Sequence, residues 1–400
     1  MVESQERFTL FHLLEYLFTL MGLLLFLLDI ALDIWTVVSF YKDGAYVYMA
    51  VLIFLLLGSS VLLQVFSWLW YSDYLEKIET KVETFADRHS LIKPVHFLLL
   101  GVYLRYAGVI ETSTKDFRHH TNSFIREGMA INLYLELQML CIFETFSESA
   151  PQLVLVTSII LQRGELELIT GLKILSSAAA IASSVAMYHR SMRIGLPEKR
   201  KMSWISTGIY FLWNLLVIIP RVTALALFCS VLPCFIIAHF LSLWMLLVLV
   251  AWSQKTDHMK SPGWEWLYRA TVGLIWYFSW LNVSKKGNIK VKRALYYSFM
   301  GLDTVMLLGF WCWKVFEYEG CWSSLNPYMV IPTLLGLYVI GILVKIMYYT
   351  WFHPNGDKEK RAATYDMDSD SSLEDTAAAP AQPLTGVLKR SRNMTANFFF

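Results

Sequence analysis

Ten apolar stretches run through this chain, at about 12–41, 46–71, 92–110, 131–162, 168–190, 206–229, 232–252, 265–283, 293–316 and 327–352. About 20 apolar residues carry a helix across a bilayer, where every backbone N–H and C=O must find its partner inside the protein. The stretches therefore point to an all-α polytopic membrane protein. With 56% hydrophobic and only 16% charged residues, and a mean hydropathy of +0.47, an ordinary soluble enzyme is excluded. Leu13 to Phe40 is too long for a cleaved leader, carries two aspartates and lacks a small-residue cleavage site, so it is expected to stay. The net charge of +2 gives no field suited to nucleic acid.

Loop charge sets the count of crossings. Loops 72–91, 191–205 and 284–292 hold most of the Lys and Arg, among them Lys199, Arg200, Lys201, Lys285, Lys286 and Lys290, whereas the connections near Asp43, Ser230 and Glu319 hold almost none. The third and eighth stretches are the shortest, have basic loops on both sides, and carry Arg105 and Arg269 among aromatic residues. If both enter and leave on one side, every basic loop is cytosolic. That predicts eight transmembrane helices, two re-entrant segments, two parallel repeats and both termini in the cytosol. The expected organisation is a cytosolic N-terminus at 1–11, a first membrane repeat at 12–190, a basic linker at 191–205, a second repeat at 206–354 and a disordered regulatory tail at 355–400.

Ionisable residues interrupt the apolar runs. Asp29 and Asp33 lie one helical turn apart, as do Glu144 and Glu148. Each such charge costs roughly 2.5–3.5 kcal/mol at a bilayer centre on insertion scales, and such residues commonly mark a transport route. Arg221, after Pro220, is the candidate mid-membrane cation; Asp303 adds an acid in the ninth stretch, and Arg190 with His189 lies nearer the cytosolic end of the fifth. The plain alternative is a set of buried ion pairs that fix helix register. Trp68, Trp70, Trp252, Trp264, Trp266 and Trp351 read as interface anchors. Pro151 and Pro220 read as kinks or breaks that free backbone carbonyls.

Catalysis of covalent chemistry is not expected, since no nucleotide loop, Ser/His/Asp arrangement, HExxH or Gly-rich fingerprint occurs. The five cysteines show no zinc spacing; Cys312 and Cys321 could pair near the outer face if geometry allows, but the odd total and apolar surroundings favour mostly free, packed thiols. Neither a cofactor nor a metal is expected. A phospholipid route, a secondary transporter or ion channel, and a non-transporting membrane scaffold all remain compatible with these residues.

The strings LLDIALDIW (27–35), QVFSWLW (64–70), FETFSESAPQL (143–153), FLWNLL (211–216), PRVTALALF (220–228), EWLYRATVG (265–273), YFSWLNV (277–283) and YYTWFHP (348–354) resemble the XK-related membrane proteins. The likeness spans about 12–354 and is greater to the caspase-activated phospholipid scramblase branch than to the Kell-associated member. It implies a plasma-membrane scramblase that exposes phosphatidylserine in apoptosis, held off by its tail and accompanied by a single-pass immunoglobulin-type chaperone such as basigin or neuroplastin. The family's hydrophilic path corresponds here to Asp29, Asp33, Glu144, Glu148, Arg190, Arg221 and Asp303. Two departures stand out. Met187 precedes Tyr188, His189 and Arg190 where relatives carry Asp, and the tail lacks a DxxD site, leaving Asp368, Asp370 and Asp375 as cleavage candidates for a caspase.

Overall fold

The structure, a computed structural model, describes residues 2–72, 80–118, 124–164, 168–194, 202–254, 256, 258–259, 261–283, 289–317 and 325–352. Among these residues there is no strand. The helices are α1 (Val2–Lys42), α2 (Tyr46–Ser72), α3 (Lys81–Arg88), α4 (Ile92–Phe97), α5 (Gly101–Arg118), α6 (Phe124–Glu144), α7 (Ala150–Arg163), α8 (Leu168–Ile194), α9 (Trp204–Val231), α10 (Pro233–Ser253), α11 (Pro262–Phe278), α12 (Ile289–Glu317) and α13 (Pro327–Met347). Two π-helical turns, Thr145–Ser149 and Tyr348–Phe352, extend α6 and α13. Eight spans in the described residues are long and apolar enough to cross a membrane, and the third and eighth apolar stretches are not among them. This is the all-α polytopic architecture expected from the hydropathy.

The chain divides into two compact units, one ending at Glu144 and the other beginning at Thr145. In the first, the third stretch does not cross as one helix because the backbone turns between α4 and α5, with Leu99 at φ 62°. Gln64 of α2 clamps that turn: its amide donates to the Leu99 carbonyl at 3.0 Å, and its oxygen accepts the Gly101 N–H at 2.9 Å. Non-helical backbone thus finds its partners from a side chain instead of water. Only glycine fits at 101, since a Cβ there would lie 2.3 Å from the His96 ring and 2.5 Å from Gln64 Oε1. Below the turn, Glu111 of α5 accepts the Lys81 and Val82 N–H groups at 2.8 and 2.9 Å, placing a carboxylate on the positive end of α3.

In the second unit, α9 is the central helix, packed by α7, α8, α12 and α13. The turn before α7 is π-helical because Pro151 has no N–H and its ring would clash with the Ser147 carbonyl in a regular α turn, so the ladder widens by one residue. Pro220 lies inside a continuous α9 and releases the Leu216 carbonyl. Gly341 of α13 lets that stretch approach closely, for a Cβ there would meet Leu216 and Val217 at 2.9–3.2 Å. After α11 the chain is irregular from Ser279 to Val283, and the Trp276 indole supplies the Leu281 carbonyl with a donor at 2.7 Å.

Trp252, Trp264, Trp266 and Trp351 are exposed, as interface anchors require, but Trp70 is fully buried. Its ring faces the Arg105 guanidinium, a tertiary partner that position near a helix end does not reveal. Cys312 is a free thiol, and Cys321 lies outside the described residues. So do the tail residues Asp368, Asp370 and Asp375.

Candidate functional site

Asp303 occupies the middle of α12, fourteen residues from Ile289 and fourteen from Glu317, or about 21 Å from either end at the helical rise. A carboxylate at that depth needs a counter-charge. Arg221 of α9 supplies it, its Nη1 donating to Asp303 Oδ2. The same guanidinium donates through Nε to the Tyr277 carbonyl at 3.2 Å and stands 5.0 Å from the Tyr277 ring. His239 of α10 completes the cluster, with Nε2 3.1 Å from Asp303 Oδ1 and Nδ1 3.0 Å from the Tyr277 hydroxyl. Because an ionised carboxylate can only accept, Nε2 carries the proton and, in the neutral ring, Nδ1 accepts from the tyrosine.

One nitrogen is left over. Arg221 is 2% exposed, and its Nη2 makes no hydrogen bond among the described residues. Leaving a buried donor unmet costs about 1–3 kcal/mol. The site therefore presents an unspent cationic donor at bilayer depth, able to receive an anionic oxygen.

The first unit buries a guanidinium in the opposite manner. Arg105 of α5 is 0% exposed, and all three of its nitrogens are engaged: Nη1 with Glu136 at 2.6 Å, Nε with the Ser67 hydroxyl at 2.8 Å and Nη2 with the Ser67 carbonyl at 2.9 Å. The Tyr71 ring lies 4.2 Å from its guanidinium carbon and the Trp70 ring 5.4 Å. His96 bonds the same Ser67 hydroxyl at 2.9 Å, tying the broken segment into the network.

The remaining sequence candidates are distributed as follows. Asp33 is buried on α1, and Asp29 is partly buried one turn before it; Glu144 ends α6 partly buried, while Glu148 is buried in the π turn. Arg190 of α8 donates to the Met202 carbonyl at 3.0 Å and the Thr207 hydroxyl at 3.2 Å, and lies 4.0 Å from the Trp204 ring. Thr207 is fourteen residues before Arg221 on α9, so Arg190 works about 21 Å away along that helix. Of the candidate residues, Arg221 and Asp303 are brought into direct contact. His239, Tyr277 and Glu136 escaped the sequence reading, although an ionisable residue inside an apolar run was the available signal for His239 and Glu136.

These features define the class: a multi-pass α-helical membrane protein that buries ionisable groups at bilayer depth. Residues 17–354 match the XK-related protein family, and the chain belongs to it. It is 40% identical to XK-related protein 8 of Tetraodon nigroviridis over 347 residues, 85% of this chain and 83% of the relative. XK-related protein 8 of Gasterosteus aculeatus is 38% identical over 360 residues, 87% and 86% of the two chains. That of Pan troglodytes is 35% identical over 335 residues, 84% and 83%.

Proposed function

We propose that this chain is a phospholipid scramblase of the plasma membrane, moving lipids between leaflets without energy input and exposing phosphatidylserine in apoptosis. The observation that carries the reading is the Arg221 Nη2 donor left unmet beside Asp303 in mid-helix. A phosphate oxygen of a passing headgroup satisfies that donor, while Asp303 receives the headgroup's ammonium. Asp29, Asp33, Glu144, Glu148 and Arg190 serve as further polar stations, and acyl chains remain in hydrocarbon throughout. The likeness to the scramblase branch supports the same assignment.

In this proposal both termini are cytosolic, and the tail from 355 onward holds the route closed until a caspase cuts after Asp368, Asp370 or Asp375. An immunoglobulin-type chaperone, basigin or neuroplastin, accompanies the chain to the surface. The chain breaks and forms no covalent bond. The decisive experiment reconstitutes the full chain, and the chain lacking residues after 355, in liposomes with a fluorescent phosphatidylserine. Loss of leaflet asymmetry, faster in the shortened chain and without ion current, is the expected result. Ion flux without lipid movement overturns it in favour of a channel or transporter.

A further inference from the structure

One end of the second unit gathers cations that neither the Arg221 cluster nor the broken segments use. It is formed by the C-terminal part of α13 and the first turns of α9 and α12, joined where Ser206 donates to the Phe352 carbonyl at 2.9 Å and Tyr210 meets Tyr348 edge-on at 5.4 Å. Lys345 of α13 is 7% exposed. Its Nζ lies 3.1 Å from the centre of the Tyr297 ring and 5.1 Å from that of Trp213. Among the described residues no carboxylate pairs with it, and its hydrogen-bonding capacity of three N–H donors is met only by ring faces. Arg293 of α12 lies over Tyr349 at 4.0 Å; it stands four residues before Tyr297, and Lys345 four residues before Tyr349, so the two cation–ring contacts cross between the same two stretches at neighbouring levels.

Two like charges in one aromatic frame repel each other, and ring faces offset only part of a buried ammonium's lost hydration. What balances such a pair is an anion with several oxygens, which can take a point charge from Lys and a forked contact from Arg at once. We propose that Lys345 and Arg293 form a binding site for a phosphate group, and that its bearer is an anionic phospholipid. The choice of a lipid rests on the surroundings: Trp204, Ile205 and Trp351 stand exposed at the same end, where amphipathic rings favour the membrane boundary. A headgroup held at Lys345 then leaves its acyl chains along apolar surface. This site is separate from the Arg221 cluster and can be measured without any lipid movement, so its failure leaves the scramblase reading standing.

Native mass spectrometry of the full chain in detergent tests it, with dioctanoyl phosphatidic acid, dioctanoyl phosphatidylcholine and inorganic phosphate as probes. Phosphatidic acid is expected to stay bound where phosphatidylcholine does not. Lys345→Gln and Arg293→Gln should each weaken it about ten-fold, the loss of one charge-assisted contact, and Lys345→Arg should retain it. A thermal melt confirms that each variant is folded, and Arg293, only partly buried, gives a reading even if Lys345→Gln misfolds. Equal binding of phosphatidylcholine, or undiminished phosphatidic acid on the double variant, overturns the site. Inorganic phosphate that displaces phosphatidic acid at equal concentration overturns the lipid assignment and makes the occupant a soluble phosphate.

Discussion

Arg105 and Arg221 are both buried in apolar surroundings and both face a carboxylate, yet one is closed and the other is not. Every nitrogen of Arg105 has an acceptor, Glu136 has a dedicated cation, and two rings cover the guanidinium. Arg221 shares Asp303 with His239 and keeps Nη2 unmet. If Arg221 serves lipid movement as proposed, burial and ion pairing alone do not separate an architectural charge from a working one. The discriminating quantity is donor capacity left over, because a fully satisfied guanidinium has nothing to offer a ligand, and an unsatisfied one remains costly until a ligand arrives.

The largest effect should come from breaking the closed site. Arg105→Gln leaves Glu136 buried without its cation, a loss of about 3–5 kcal/mol, and it also frees Ser67 and the broken α4–α5 segment. Thermal melts followed by fluorescence size-exclusion should show a steep loss of folded protein, with lipid movement per folded molecule unchanged. Arg221→Gln is expected to do the reverse. Asp303 retains His239, so stability should fall less than for Arg105→Gln, while scrambling per molecule drops about ten-fold, equivalent to about 1.4 kcal/mol on the barrier. Equal stability losses with unaltered transport would place Arg221 in the architectural class.

The contrast between the two arginines also marks what can be read from sequence. Eight spans and two short stretches were legible because apolar length and loop charge act locally along the chain. Arg221 and Asp303 were legible as ionisable residues in apolar runs, but their pairing depends on how α9 and α12 pack, which no spacing within either helix encodes. Pro151 announced a kink or a break, and the π turn at its site keeps the helix continuous. The Gln64 clamp was hidden for another reason: a glutamine in a span looks like one more polar interruption until the turn at Leu99 comes back to it. His239 was overlooked because an imidazole carries no obligatory charge, and Lys345 because a lysine near a span's end reads as one that extends toward water.

A smaller perturbation sharpens the closed side. Gly101→Ala sets a methyl group against His96 and Gln64, and overpacking of that kind costs about 1–3 kcal/mol. If the turn exists to seat Arg105, the loss should not add to that of Arg105→Gln in the double variant, since neighbouring sites in one network couple by about 0.5–3 kcal/mol.

The smallest expected change lies at the open site. His239→Gln removes the ring that bridges Asp303 and the Tyr277 hydroxyl; with the glutamine carbonyl still accepting from Tyr277, one of the two hydrogen bonds is lost, a net cost of about 1 kcal/mol. Its use is in the partition of the effect. With His239 gone, Arg221 alone balances Asp303, so the guanidinium is drawn more fully onto the carboxylate and is less available to an incoming phosphate oxygen. Scrambling should therefore fall by more than the melting temperature implies, and Arg221→Gln in the same chain should add little to that loss. A variant whose transport and stability decline in proportion would instead make His239 a simple brace, and the Arg221 cluster would then differ from the Arg105 cluster only in being less completely bonded.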